Sequence, residues 1–200
     1  SDLAGNAIAS AITSPSSGAV TIDNTHPTSS AATIAVDGSG NANDADVITL
    51  TLDPSETVGT PTCTFTADGS AMEDTSITYD TVDGTDHHTA AVTVHNDDDD
   101  GAVAFSCTYT DSAGNAIAAA ITSLSSGSAI TIDNTHPTLG TVGIGEDGAN
   151  DANDGDDITL TFTSSETIGT PTCTIKDGAA ATMDNSVTVA SSGNVWTCVV

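Results

Sequence analysis

Basic side chains are almost missing from this chain: Lys176 stands alone against 28 Asp and Glu, for a formal charge of −27 at neutral pH. Phosphate recognition runs on Lys and Arg, so nucleic acid is excluded as a partner. An anionic membrane surface is excluded by the same sign. Aromatic residues are scarce at 3%, which leaves few platforms for stacking a sugar ring. No apolar run approaches the ~18 residues of a membrane-spanning helix, so no membrane insertion is expected. The first residues carry no signal-peptide pattern; the chain begins inside a motif, as a mature product or a fragment does. Catalytic signatures are missing too. There is no Gly-x-Ser-x-Gly turn, no phosphate-binding glycine loop and no His-Glu-x-x-His, so no enzyme is expected.

So acidic a chain repels itself unless salt or bound cations screen it, which points to salt water or calcium outside a cell. Its apolar fraction of 37% is carried by Val, Ile, Leu and Ala in alternation with Thr and Ser, which argues for order. Asp2 to Thr28 and Asp111 to Thr138 repeat nearly the same text, with one residue inserted. Downstream the copies keep an offset of 110: Ile48-Thr49-Leu50-Thr51 returns as Ile158-Thr159-Leu160-Thr161, and Gly59 to Thr64 as Gly169 to Thr174. A period of that size is a whole domain rather than a solenoid repeat.

Within each copy the pattern predicts strands. Val47 to Leu52 and Asp157 to Phe162 place every second residue on one apolar face. Ile34–Val36, Ser76–Tyr79, Ala90–Val94, Ala102–Tyr109, Ala129–Ile132 and Val187–Val189 alternate likewise. Short strands separated by Gly, Asn, Asp and Ser predict an all-β, antiparallel sandwich. Ala116 to Thr122 is expected to be an edge strand or loop.

Three strings occur in a fixed order: Asp111-Ser112-Ala113-Gly114-Asn115, Ile132-Asp133-Asn134-Thr135-His136-Pro137-Thr138, and Asp157 to Thr172. In these the chain resembles the immunoglobulin-like domain repeats of giant bacterial and archaeal surface adhesins and extracellular fibres, over nearly its whole length. The resemblance implies tandem Greek-key sandwiches joined at the IDNTHP junction. On this basis residues 1–25 are the closing strand of a preceding unit with its linker, 26–135 a complete domain, and 136–200 a second domain incomplete at its C-terminal end. It implies a structural protein of the cell surface whose partners are copies of itself in a head-to-tail fibre, with a host or neighbouring cell surface as a further partner. The array is either covalent or assembled by donation of the N-terminal strand to a neighbour. A ligand-binding adhesin module is the alternative, resting on a longer stretch between Tyr79 and Cys107 than between Val189 and Cys198, with Asp80 to Gly101 as its candidate surface.

Four cysteines suggest disulfides, and the repeat favours Cys63 with Cys107 and Cys173 with Cys198; buried thiols or a metal site are the alternatives. In that alignment Cys198 matches Cys107. In a competing one, Trp196-Thr197-Cys198 lies on the penultimate strand of a domain. Asp37, Asn41, Asn43, Asp44 and Asp46 cluster in one loop, and Asp147, Asn150, Asp151, Asn153, Asp154, Asp156 and Asp157 at the equivalent place. Alternating Asp and Asn in a Gly-containing loop is the chemistry that holds Ca²⁺, although no complete EF-hand spacing is present; a solvated acidic loop is the alternative. Asp23 and Asp133, with Asn24, Asn134, Asp2 and Asp111, form a second candidate calcium set at the junctions. The run Asp97–Asp100 reads as an exposed, self-repelling turn, with cation capture as the alternative.

Overall fold

The computed structural model describes residues 4, 20–38, 40–82, 87–148, 152–153, 155–179, 182–183 and 186–200. Asp2, Asn150, Asp151 and Asp154 lie outside the described residues, as does most of the expected closing strand in 1–25. The chain divides into two compact units between Asn134 and Thr135. Every strand pairing is antiparallel, and no helix is present among the described residues.

Unit 1 is a two-sheet sandwich. One sheet runs in the order β1 (Ser29–Val36), β2 (Val47–Pro54), β6 (His87–Thr93), β5 (Thr78–Val82). The other runs β4 (Ser70–Ala71), β3 (Thr62–Ala67), β7 (Gly101–Thr108), β8 (Thr131–Ile132). The core sits between them because alternation sends Ile48, Leu50 and Leu52 inward from β2, Ala90 and Val92 from β6, Phe65 from β3, and Val103 and Phe105 from β7. The strand β3 was not expected, yet Thr-Cys-Thr-Phe-Thr-Ala alternates as cleanly as the strands that were.

The segment after β7 closes the sandwich by reaching both sheets. Ile121 exchanges backbone hydrogen bonds with Cys107, and Ser125 takes both polar backbone groups of Ala32 on the free edge of β1. Ile130 pairs to Val103, and Ala42 N donates to Thr131 O while Asp133 N donates to Ala42 O (both 2.8 Å). Ile121, Leu124 and Ile130 pack on the core, and Ile132 is fully buried.

Unit 2 is one sheet, β11 (Thr188–Ser192), β12 (Val195–Val199), β10 (Ile158–Ser164), β9 (Leu139–Glu146). Register identifies its strands. Leu50 faces Ala90 on β6, and Leu160, the counterpart of Leu50, faces Cys198 on β12. Thus β12 is the counterpart of β6, and Cys198 that of Ala90. The alignment of Cys198 with Cys107 is therefore wrong, and so is the penultimate-strand alternative: no described strand corresponds to β7 or β8. The extra length assigned to Asp80–Gly101 dissolves with it, because β5–β6 and β11–β12 are equivalent hairpins that differ little in turn length.

Both disulfides form, in different settings. Cys63 and Cys107 are direct cross-strand partners on β3 and β7, with Cα atoms 4.1 Å apart, so this bridge lies within one sheet. Cys173 joins Cys198 across 6.4 Å and fastens the extended piece Pro171–Ile175 over the sheet. That piece repeats the alternation of β3, with Ile175 buried and Cys173 half-buried. Lacking a β7 to pair with, it forms no ladder.

Candidate functional site

The repeated motifs meet at one end of unit 1. Val58 bridges Asp111, and Gly59 N donates to Thr110 O (2.8 Å), which lays the Ser55-Glu56-Thr57-Val58 turn beside the Asp111–Asn115 corner. Asp111 is buried and accepts from Ala113 N (2.9 Å), Asn115 N (2.8 Å) and Asn115 Nδ2 (2.8 Å). An Asp that caps its own turn in this way also fixes the Gly114 bend, where φ is +95°. The incoming chain is tied to the same corner: Asn115 Nδ2 donates to Asp23 O (3.2 Å), His26 Nδ1 donates to Ala116 O (2.7 Å), and Pro27 is fully buried. His26 therefore ties the incoming chain to this corner.

Here Asp23, Glu56 and Asp111 bring carboxylate oxygens within 4.8 Å of one another. The electrostatics differ across the three. Hydrogen bonds from Asn115, first its side chain and then its backbone, hold Asp111 below the usual carboxylate range. Desolvation, and then the negative charges of Asp23 and Asp111, push Glu56 upward. Glu56 was missed in the sequence, although its motif returns at Glu166.

The expected junction set is split. Asp133 belongs to the other end of unit 1, where Asn41 Nδ2 donates to its Oδ2 at 3.5 Å. There Asn134 N donates to Asp100 Oδ1 (2.6 Å), and Asn134 Nδ2 donates to the carbonyls of His95 (3.0 Å) and Asp98 (3.3 Å). The junction motif recurs at each end of the sandwich, so its two copies are separated by the length of the strands. The Asp97–Asp100 run is not a plain exposed turn either. Asp98 is buried and accepts from Glu73 N (2.7 Å) and His95 N (2.8 Å).

In the first acidic loop the side chains are spread over backbone capping. Asp37 accepts from Val47 N (2.8 Å), Asp46 from Asn43 N (3.0 Å) and Asp44 from Asn96 N (3.0 Å). The equivalent loop of unit 2 repeats two of these bonds, Asp147 with Asp157 N (3.0 Å) and Asp156 with Asn153 N (2.7 Å). In unit 2, however, Glu146, Asp147 and Asp156 also gather within 4.8 Å. Glu146 was not among the expected ligands, and it stands where unit 1 has Val36.

No family model matches the chain, and no curated protein matches it. Among solved structures, the titin domains Z1Z2 in complex with telethonin are similar at 12% identity and a TM-score of 0.34, over 89% of this chain and 82% of that one. So loose a likeness carries no argument.

Proposed function

We propose that this chain is a structural segment of an extracellular, cell-surface fibre built head-to-tail from immunoglobulin-like sandwiches. The observation that carries it is the placement of the two junctions in unit 1. The incoming Asp23–Pro27 is held beyond the last residue of β7, at Asn115 and Ala116. The outgoing Asp133–Asn134 is held before its first residue, at Asp98 and Asp100. An eight-residue strand separates the two by about 25 Å. A module whose chain comes in at one pole and leaves at the other is suited to stringing in line.

The strand order supports the immunoglobulin-like assignment. In unit 1, β1-β2-β6-β5 against β3-β7-β8 follows the A-B-E-D and C-F-G arrangement of that fold, with β4 as an added edge. Two disulfides in a 200-residue chain fit an oxidising setting outside the cell. The adhesin alternative loses its one specific feature, since Asp80–Gly101 is not an insertion. Negative-stain microscopy of the protein tests the head-to-tail reading: beaded filaments are expected, and isolated compact particles overturn it.

Calcium stiffens the junction in this reading. Three carboxylates confined as Asp23, Glu56 and Asp111 are repel one another unless a cation or a proton joins them. Added calcium is expected to raise the unfolding midpoint of unit 1 by several degrees and chelator to reverse the rise; an unchanged midpoint removes calcium while leaving the fibre reading intact.

A further inference from the structure

Unit 1 carries a histidine among its core positions. Alternation along β6 sends His88, Ala90 and Val92 inward, and His88 is only 7% exposed. It stands between Leu52 on β2 and Thr81 on β5. Among the described residues no hydrogen bond reaches its ring, although a buried polar group is costly unless it finds a partner. The ring instead borders a cleft of about 120 Å³, together with Thr60, Tyr79, Asp80 and Thr81.

The walls of this cleft are fixed. Tyr79 Oη accepts a hydrogen bond from Cys63 N (2.9 Å), which ties β5 across to β3. Thr81 N donates to Asp80 Oδ1 (2.7 Å) and holds that carboxylate beside its own strand. Register makes the arrangement particular to unit 1. Leu52 faces His88 and His88 faces Thr81, as Phe162 faces Trp196 and Trp196 faces Ser191. Along the same edge strand, Tyr79 and Asp80 have Val189 and Ala190 as counterparts. Three side chains able to hold or position a ligand in unit 1 are thus replaced by Trp, Val and Ala in unit 2, within copies that otherwise repeat Thr60 as Thr170 and Thr51 as Thr161. Strand formation does not ask for His, Tyr and Asp at one spot, since unit 2 builds the same hairpin without them.

We propose that this cleft binds a divalent transition-metal ion of the zinc class, with a ring nitrogen of His88 and the carboxylate of Asp80 as its protein ligands and water at the remaining positions. A nitrogen donor beside a carboxylate suits Zn²⁺, Cu²⁺ or Ni²⁺, whereas Ca²⁺ takes oxygen alone. An anion is turned away by Asp80. An organic ligand needs more room, roughly 300 Å³ or above. Bound there, the ion joins the edge strand β5, through Asp80, to β6, through His88. Two side chains hold it loosely, so it exchanges with the surrounding solution. The site is separate from the carboxylate clusters and depends on neither the fibre reading nor calcium.

Calorimetric titration of the protein with zinc chloride tests this, in a large excess of Ca²⁺ that occupies the all-oxygen sites. Uptake of zinc is expected, and Asp80→Ala and His88→Leu are each expected to weaken it about tenfold or more. Asp80 is exposed, and its change to alanine matches what unit 2 carries at this place, so that variant keeps the fold even where His88→Leu disturbs the core. His87→Ala, on the outer face of β6, is expected to leave the affinity unchanged. In the wild type, nuclear magnetic resonance is expected to show the His88 ring shifting with zinc before the rings of the other four histidines. The site is overturned by a protein that takes up no zinc, by either Asp80→Ala or His88→Leu binding zinc as the wild type does, by a loss in His87→Ala equal to theirs, or by another histidine ring that shifts first.

Discussion

Ala45 holds a left-handed backbone with φ of 72°, and the equivalent residue in unit 2 is Gly155, with φ of 97°. A Cβ in that conformation costs roughly 1–2 kcal/mol, and glycine's extra freedom in the unfolded chain returns part of the gain. Ala45→Gly is expected to stabilise unit 1 by up to ~1 kcal/mol, read from the urea midpoint. At the junction cluster the pH dependence has two signs. Asp111 is held low, so its contribution is present above the ordinary Asp range and is lost as pH falls through its lowered value. Asp74, capped by Thr93 N and Ser76 N, behaves the same way. Glu56 is held high, so its protonated form is the one that folding favours, and stability is lost as pH rises through its raised value. Asp111→Asn is therefore expected to flatten the acid limb of a stability–pH curve. Glu56→Gln is expected to raise stability near pH 7 without calcium and to blunt the response to calcium; a calcium response unchanged in Glu56→Gln would place the cation elsewhere.

Among the elements, the two disulfides are expected to differ in consequence. On chain-entropy grounds closing a 44-residue separation is worth ~4 kcal/mol and a 25-residue one ~3.5 kcal/mol. Unit 1 has a continuous two-sheet core to fall back on, whereas the buried cluster of unit 2 is Phe162, Trp196 and Cys198. Cys63→Ser with Cys107→Ser should leave unit 1 folded at a lower midpoint. Cys173→Ser with Cys198→Ser should unfold unit 2, reported by Trp196, the one tryptophan of the chain. The strands themselves were legible wherever apolar residues alternate with threonine, as in β2 and β10. The identity of β12 was not, because two matching cysteines drew the alignment to Cys107, while hydrogen-bond register, invisible in sequence, assigns it to β6. The acidic loops were legible as turns but not as sites. The same Asp oxygens that hold a cation also cap backbone N–H groups, and Asp37, Asp44 and Asp46 do the latter.

At the scale of the whole molecule, the hexapeptide Ile132-Asp133-Asn134-Thr135-His136-Pro137 is divided between the two units after Asn134. Its first half is a fastening of unit 1, and in its counterpart Thr25-His26-Pro27 the second half is gripped by the Asp111–Ala116 corner, where Pro27 is buried. The repeat in the sequence is thus out of phase with the folded units. The one-residue insertion in the second copy of the closing segment, between Gly127 and Ile130, falls in the irregular stretch before β8 and costs no register.

The bridge between Cys63 and Cys107 also sets how far such a strand of modules can stretch. Tension entering at Pro27 and leaving at Asp133 can unravel the chain outside the bridge but not the 44-residue separation it spans. At about 3.4 Å per residue, each oxidised module lengthens by roughly 150 Å less than a reduced one. Single-molecule extension with and without reductant should show that difference in the rupture spacing, which would make the redox state of one bond a limit on the elasticity of the whole thread.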